Sequence, residues 1–353
     1  QLMVLVFALA AMRWGFGAIM KVPPRARWTM IGLLYVFVLA LQVALPAGHP
    51  VRIATGESPA FWLILGAFAA LFVGYRTVLR HLRGRAQEEE AKAAPAPQGP
   101  FSDTELNRYA RHIVLREVGG AGQKALKDAR VLVVGAGGLG APVLQYLAAA
   151  GVGTIGVIDD DMVENANLQR QVIHLDAKIG MPKVFSAQAA MQAQNPFVTV
   201  RPYHRRLNAV IVDALVADYD LVVDGTDNFD TRYLVNAAAV RAGVPLISGA
   251  LTQWEGQVSV FDPSSGAPCY ACVFPKAPSA DLAPSCAEAG VIGPLPGVVG
   301  SMMAVEAVKV ITGAGTVLRG EMVIYDALYG ESRKIALKRR PECTTCGSVV
   351  AAG

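Results

Sequence analysis

The sequence predicts an α/β domain with a mixed sheet, preceded by about three membrane-spanning helices. Three observations predict it. A G-x-G-x-x-G run, Gly135 to Gly140, sits between two short β-branched runs. Three long apolar stretches crowd the first eighty or so positions, and two C-x-x-C pairs lie far apart in the C-terminal half.

At 353 residues the chain has room for one large domain or two ordinary ones. Its formal charge of +4 is too mild to argue for nucleic acid, which is not an expected partner. The apolar stretches run near 2–20, 28–46 and 60–75, close to the ~17–25 residues that a spanning helix needs, the third being short unless its helix runs on to 79. Arg13 inside the first is costly unless it snorkels or meets a partner. Two further stretches and the lack of a small-residue cleavage site argue against a signal peptide. Lys21, Arg25 and Arg27 separate the first two stretches, and Arg76, Arg80, Arg83 and Arg85 follow the third. The segment 47–59 holds only Arg52 and Glu57. Positive-inside bias therefore predicts a multi-pass protein of the inner (cytoplasmic) membrane with everything after residue 76 in the cytoplasm. Trp14, Trp28 and Trp62 would sit near the interfaces. Residues 1–85 form the membrane region in this reading. The Ala- and Pro-rich stretch 86–100 is a partly extended linker, and 101–353 is the α/β domain.

Arg130 to Val134 reads as a strand, and Gly135, Gly137 and Gly140 follow at once, opening a segment of helical periodicity. Thr154 to Ile158 returns to strand, and Asp159 stands nineteen positions past Gly140, near the offset of a ribose-binding acid. Framed this way the motif predicts a Rossmann-like nucleotide site, with backbone N–H groups facing phosphate at a helix N-terminus. It does not say which nucleotide.

Ser102 and Glu105 have capping-box spacing before a helix that carries Arg111. Gly119 to Gly122 breaks the chain ahead of a short helix over 123–127. The amide-rich stretch from Asn165 to Gln171 is poor core material and holds Arg170. Lys183 opens the next helix, Val184 to Gln194, where a cation opposes the dipole, so phosphate is a better reason for it than stability. A strand over 197–202, a helix over 209–216 and a strand over 219–224 lead to Asp227 and Asn228. These fall on the rim that carries the Gly-rich turn. Asp227 is placed there for magnesium on a phosphate, or for an Asx-turn at a strand end. Strands PLISGA and QVSVF and a helix over 297–311 complete the pattern.

Cys269, Cys272, Cys343 and Cys346 suit a tetrahedral structural zinc with no open position for water. A reducing location disfavours disulfides, and neither pair follows the first strand of a β-α-β unit as a redox pair would. Cys286 is the fifth cysteine, either an inert thiol or a reactive one. His112, His174 and His204 show no ligand spacing.

Taken in order, RYARHIVL, GAGGLGAPVLQYLAAAGVG, NLQRQ, GMPK, DGTDN, the C-x-x-C pairs and CAEAGV closely resemble the ThiF/MoeB/HesA adenylyltransferases, relatives of ubiquitin-activating enzymes. The molybdopterin-synthase branch is nearest in appearance, and the likeness spans about Ser102 to Gly347. It implies that Gly135, Gly137, Gly138 and Gly140 cradle ATP and that Asp159 holds the ribose. Arg170 and Lys183 would bind phosphates and Asp227 magnesium, with Asp161, Asn167 and Asn228 completing the ATP site. Homodimers are implied too, with Arg111 reaching into the neighbour's site and Cys286 a candidate in sulfur transfer.

The implied reaction is adenylation of the C-terminal glycine of a ubiquitin-like sulfur carrier ending in Gly-Gly, with a persulfide protein as later sulfur donor. That carboxylate is ionised at neutral pH, so attack on phosphorus needs no general base. Rival readings are a membrane-anchored NAD-dependent oxidoreductase and a nucleotide-binding scaffold without catalysis. Nothing in the sequence offers the first a proton donor beside a hydride site. The second predicts that Lys183→Ala leaves function intact.

Overall fold

A computed structural model of the chain describes residues 3–20, 22–56, 58–93, 99–277 and 289–349. It divides into two compact units, 1–98 and 99–353.

The first unit is helical. α1 spans Met3–Ile19, α2 Pro24–Ala44, the short α3 Pro50–Ala54 and α4 Pro59–Ala93. Stretches Ala26–Ala44 and Pro59–Arg85 are long and apolar enough to cross a membrane, with mean hydropathy 1.6 and 1.7. Leu33, Phe37, Phe68 and Phe72 on these helices are exposed. α1, with 17 residues, reaches only roughly 25 Å at the helical rise, against a hydrocarbon core of ~30 Å. The expected spans near 28–46 and 60–79 are thus long enough, and the first is marginal.

Trp62 is buried, and its indole N–H donates to the Thr55 carbonyl at 2.9 Å, so it packs within the helical unit. One expectation is corrected here. The start of the linker is helical, because 86–93 is built of Ala, Gln, Glu and Lys, good helix formers, and the first proline comes only at 95.

The second unit opens with α5, Asp103–Ile113, whose capping box forms as its spacing requires, a motif with an N-cap worth ~0.5–2 kcal/mol. α6 runs Gly119–Asp128, so the glycines expected to break the chain are its first turn. Then follow β1 Arg130–Val134, α7 Gly140–Ala150, β2 Thr154–Ile158, α8 Lys183–Gln194, β3 Thr199–Tyr203, α9 Val212–Ala217 and β4 Leu221–Asp224. α10 Phe229–Ala242, β5 Leu246–Leu251, β6 Glu255–Phe261, α11 Tyr270–Val273, α12 Pro294–Thr312, β7 Glu321–Asp326 and β8 Glu331–Ala336 complete it. The sequence reading did not anticipate α10 or the β7–β8 hairpin. β8 is exposed along its length and carries no buried period to read.

One sheet of eight strands runs in the order β3-β2-β1-β4-β5-β6-β7-β8. The pairs from β3 to β5 are parallel and those from β5 to β8 antiparallel, the mixed sheet expected. β1 is buried on both faces, as central parallel strands are. Val131 and Val133 join one apolar cluster with α7, α8 and α12, while Leu132 and Val134 join another with α9 and α10. α12 is also long and apolar enough to span a membrane, yet it packs on α7, β5 and β6 and buries Leu295, Val299 and Met303 there. The strand order reverses direction at β1, between β2 and β4. The crevice beyond the C-terminal ends of β1 and β4 is where such sheets bind ligands.

Candidate active site

The turn after β1 depends on glycine at two positions. Gly135 has φ +92°, the left-handed region that favours glycine. A β-carbon at Gly140 would collide with the Gly135 carbonyl oxygen. The loop can therefore fold tightly against the start of α7. The N–H groups of Gly137, Gly138 and Leu139 make no hydrogen bond among the described residues, and α7 has no side-chain cap. Unsatisfied donors at a helix N-terminus suit an anion.

These residues open onto a cavity of about 780 Å³, within the ~300–1,000 Å³ of ligand sites. Gly135, Gly137, Gly138, Asp159, Asp161, Arg170, Lys183, Asp227 and Asn228 all line it. Two expected ATP contacts lie outside this lining. Gly140 sits behind the loop as a packing glycine, and Asn167 accepts a 2.9 Å hydrogen bond from Arg170, setting the guanidinium rather than facing the cavity.

Several side chains have partners that the sequence did not disclose. Asp159 accepts from the Ala136 N–H at 2.7 Å and the Asp161 N–H at 2.8 Å, so it braces the loop as well as facing the cavity. Burial pushes its carboxyl above the usual range, against the opposing pull of Lys183 and those two N–H groups. Lys183 is paired: its Nζ lies 2.6 Å from Asp161, which offsets the cation at the start of α8 without any ligand. Asn228 caps α10 by accepting from the Thr231 N–H at 2.9 Å, a structural duty for that side chain. Asp227 is exposed and makes no hydrogen bond or ion pair among the described residues. The Asx-turn role considered for it falls instead to Asp224, which accepts from both the N–H and hydroxyl of Thr226. A free carboxylate on the cavity rim fits a hard cation such as magnesium.

Sequence reasoning missed further residues of this wall. Arg232 is buried beneath the Asp227 loop, donating to Ser248 Oγ at 2.9 Å, the Gly249 carbonyl at 2.7 Å and the Thr226 carbonyl, 3.8 Å from Asp224. Its signal was spacing, one helical turn into α10 from the Asn228 cap. Arg205, Arg206 and Lys276 also line the cavity. The first two follow β3 at the same rim as the other strand ends, a cue open to the sequence. Gln171 lines the wall nine-tenths buried, and its Oε1 lacks a partner among the described residues, a place for a polar ligand.

Arg111 is exposed on α5 and does not line this cavity within its own chain. Cys286 lies outside the described residues.

The four remaining cysteines converge. Their sulfurs lie within 4.8 Å of one another and are buried. Cys269–Cys272, Cys269–Cys343 and Cys272–Cys346 are 3.9, 3.7 and 3.4 Å apart, near the ~3.8 Å edge of a tetrahedron with Zn–S bonds of ~2.3 Å. The Arg340 N–H donates to Cys272 Sγ at 3.5 Å. Burial pushes the Cys269 and Cys346 thiols up. For Cys343, burial acts the same way but is outweighed by N–H groups of Cys346 and Thr345 and by neighbouring thiols, leaving it lowered to about 7. The donor set fits a soft, four-coordinate metal ion.

Residues 109–345 match the model of the ThiF family. The chain is 53% identical over 251 residues to a sulfur carrier protein adenylyltransferase of Thermus thermophilus, covering 70% of this chain and 93% of that one. It is 46% identical over 247 residues to the molybdopterin-synthase adenylyltransferase of Escherichia coli, covering 70% and 98%. Among solved structures, Escherichia coli MccB with ATP superposes with a TM-score of 0.61 at 25% identity, covering 68% of this chain and 74% of that one. The fold, the glycine-rich turn and these likenesses agree, and the chain belongs to the ThiF family.

Proposed function

We propose that this protein adenylates the C-terminal glycine of a ubiquitin-like sulfur carrier at the expense of ATP. The observation that carries the reading is the meeting, in one cavity, of unpaired loop N–H groups, Arg170, Lys183 and the unpartnered Asp227. A carrier carboxylate oxygen attacks the α-phosphorus, the bond from that phosphorus to the bridging oxygen breaks, and pyrophosphate leaves with the electron pair. The attacking group is already an anion, so the protein needs alignment and charge neutralisation rather than a base. The loop N–H groups hold phosphate oxygens, Asp159 accepts from the ribose, and Arg170 and Lys183 offset charge on the departing pyrophosphate. Asp227 would hold a magnesium ion, which would supply Lewis-acid charge neutralisation on the triphosphate.

Cys269, Cys272, Cys343 and Cys346 would hold a zinc ion that would tie the C-terminal segment to the loop that follows β6, and four protein ligands would leave it no open position for chemistry. The functional unit is a homodimer. An apolar surface cavity of about 920 Å³ lined by Tyr146, Val172, Val298 and Val305 supports an interface between copies, since these side chains are exposed. Arg111, exposed and without a side-chain partner among the described residues, then serves the neighbour's site. A persulfide-bearing protein supplies sulfur to the activated carrier. The N-terminal unit anchors the enzyme to the inner membrane with the catalytic domain in the cytoplasm, which the exposed apolar faces of α2 and α4 and the basic residues after position 75 support.

ATP–pyrophosphate exchange with purified protein tests the activity, with and without carriers ending in Gly-Gly. Carrier-dependent exchange is the expected result. No exchange with any carrier, together with tight NAD binding, sinks the proposal. A reporter fused after Gly353 tests the topology and should be active only when the fusion point is cytoplasmic.

A further inference from the structure

Ala136 lies in the phosphate-facing turn, and both of its backbone polar groups are held from outside that turn. Its N–H donates to Asp159. Its carbonyl lies 2.9 Å from Nε2 of His174, a buried residue that does not line the cavity. The other ring nitrogen, Nδ1, lies 3.0 Å from the hydroxyl of Ser186, which is buried on α8. A carbonyl can only accept, so Nε2 carries a proton. In the neutral ring Nδ1 is then bare and accepts from the Ser186 hydroxyl. The chain Ser186–His174–Ala136 is thus a directed series of hydrogen bonds running from α8 to the loop.

The peptide between Ala136 and Gly137 is trans, as are the other described peptides. In a trans peptide the carbonyl and the following N–H share one plane and point in opposite directions. Fixing the Ala136 oxygen on the imidazole therefore turns the Gly137 N–H away from it. Gly137 lines the cavity, and its N–H has no acceptor among the described residues.

We propose that His174 is a positioning residue, which holds the Ala136 carbonyl so that the Gly137 N–H points at a phosphate of the bound nucleotide. It acts through the backbone and touches no substrate. The proposal rests on the adenylation reading only for the identity of the ligand as a nucleoside triphosphate.

The test separates phosphate binding from nucleoside binding. Calorimetric titration of the full chain in detergent uses ATP and adenosine as probes. In His174→Leu, ATP should bind about tenfold more weakly while adenosine stays within about twofold, a loss of ~1.4 kcal/mol confined to the phosphates. His174→Gln, whose amide can place a donor near the former Nε2, should bind ATP within about threefold of the parent. Equal weakening of both probes means a merely structural role and overturns the proposal, as does unchanged ATP affinity in His174→Leu. Should the leucine variant fail to fold, Ser186→Ala decides. A loss of about threefold for ATP alone supports the proposal, and no selective loss overturns it. The same preparations are assayed for pyrophosphate exchange. A parent that never exchanges but shows the ATP-selective loss refutes the adenylation reading and leaves the role of His174 standing. Exchange without selective loss does the reverse.

Discussion

Lys183 and Asp161 form a 2.6 Å ion pair in which the lysine side chain is 5% exposed and the aspartate 65%. The partner of a buried cation thus stands at the cavity wall, where a triphosphate can compete for it. The pair explains how a lysine is tolerated at the first position of α8, where the helix dipole opposes it.

Lys183→Ala is expected to lower pyrophosphate exchange by about 100-fold or more, since it removes charge that counts mainly as pyrophosphate departs. Asp161→Asn should cost more stability than the ~1 kcal/mol of a fully exposed pair, because it leaves the Lys183 ammonium, whose side chain is 5% exposed, without its ion-pair partner. Exchange assays and urea denaturation of the two variants check this, and an active Lys183→Ala enzyme would favour a non-catalytic scaffold.

Arg232 is a stability residue as much as a site residue. Its removal leaves the Asp224 carboxylate, 1% exposed, without a cation, a loss of ~3–5 kcal/mol for a broken buried pair. Arg232→Ala should therefore unfold at clearly lower urea. Arg232→Lys retains charge but cannot reach Ser248, Thr226 and Gly249 together, so it should recover stability only in part. A midpoint unchanged in Arg232→Ala would contradict the packing described.

Metal analysis should find one zinc per chain. Chelation at neutral pH is expected to lower the melting temperature, because four thiolates brought together without an ion repel one another and some must take up protons. Cys343→Ala should behave like the chelated protein. A chain free of zinc with an unaltered melting curve would rule out the assignment.

Acid should expose His174. Burial and the nearby Lys183 charge hold its imidazole below the ordinary 6.5, and the Ala136 carbonyl and Asp159 carboxylate offset this only partly. The unfolded chain then binds a proton that the folded chain resists. Stability is full above 6.5 and falls as pH drops below it. The parent should lose more stability than His174→Gln between about pH 7 and about pH 5.5, measured by urea denaturation at each pH. Equal losses would show that another group carries the acid limb.

Much of the site was legible where chemistry and local geometry coincide. Gly135, Gly137 and Asp159 announce themselves through spacing because a tight turn, a helix start and an acid at the end of the next strand occupy fixed offsets along one chain segment, and all three line the cavity. The cysteines did so because metal ligation demands paired residues of one type. Asn167, Asn228 and Gly140 carry structural duties that the sequence did not disclose. Each belongs to the right motif, yet one orients Arg170, one caps α10 and one makes room for a carbonyl. A motif names the neighbourhood, and only packing distributes the duties within it. The helical extension of α4 to Ala93 was missed because its terminal prolines drew the whole stretch into a loop reading, although 86–93 has strong helix propensity.

By itself the amino-acid order determined the β-α-β unit, the two C-x-x-C pairs, the apolar stretches of the first unit and the family likeness, since these rest on short-range periodicity and residue chemistry. The fold alone decided that Lys183 meets Asp161, that Arg232 underpins the Asp227 loop and that His174 grips Ala136. Those pairings join residues between 6 and 38 positions apart, and contacts across such separations are created by the stacking of helices on a sheet, which no local pattern encodes.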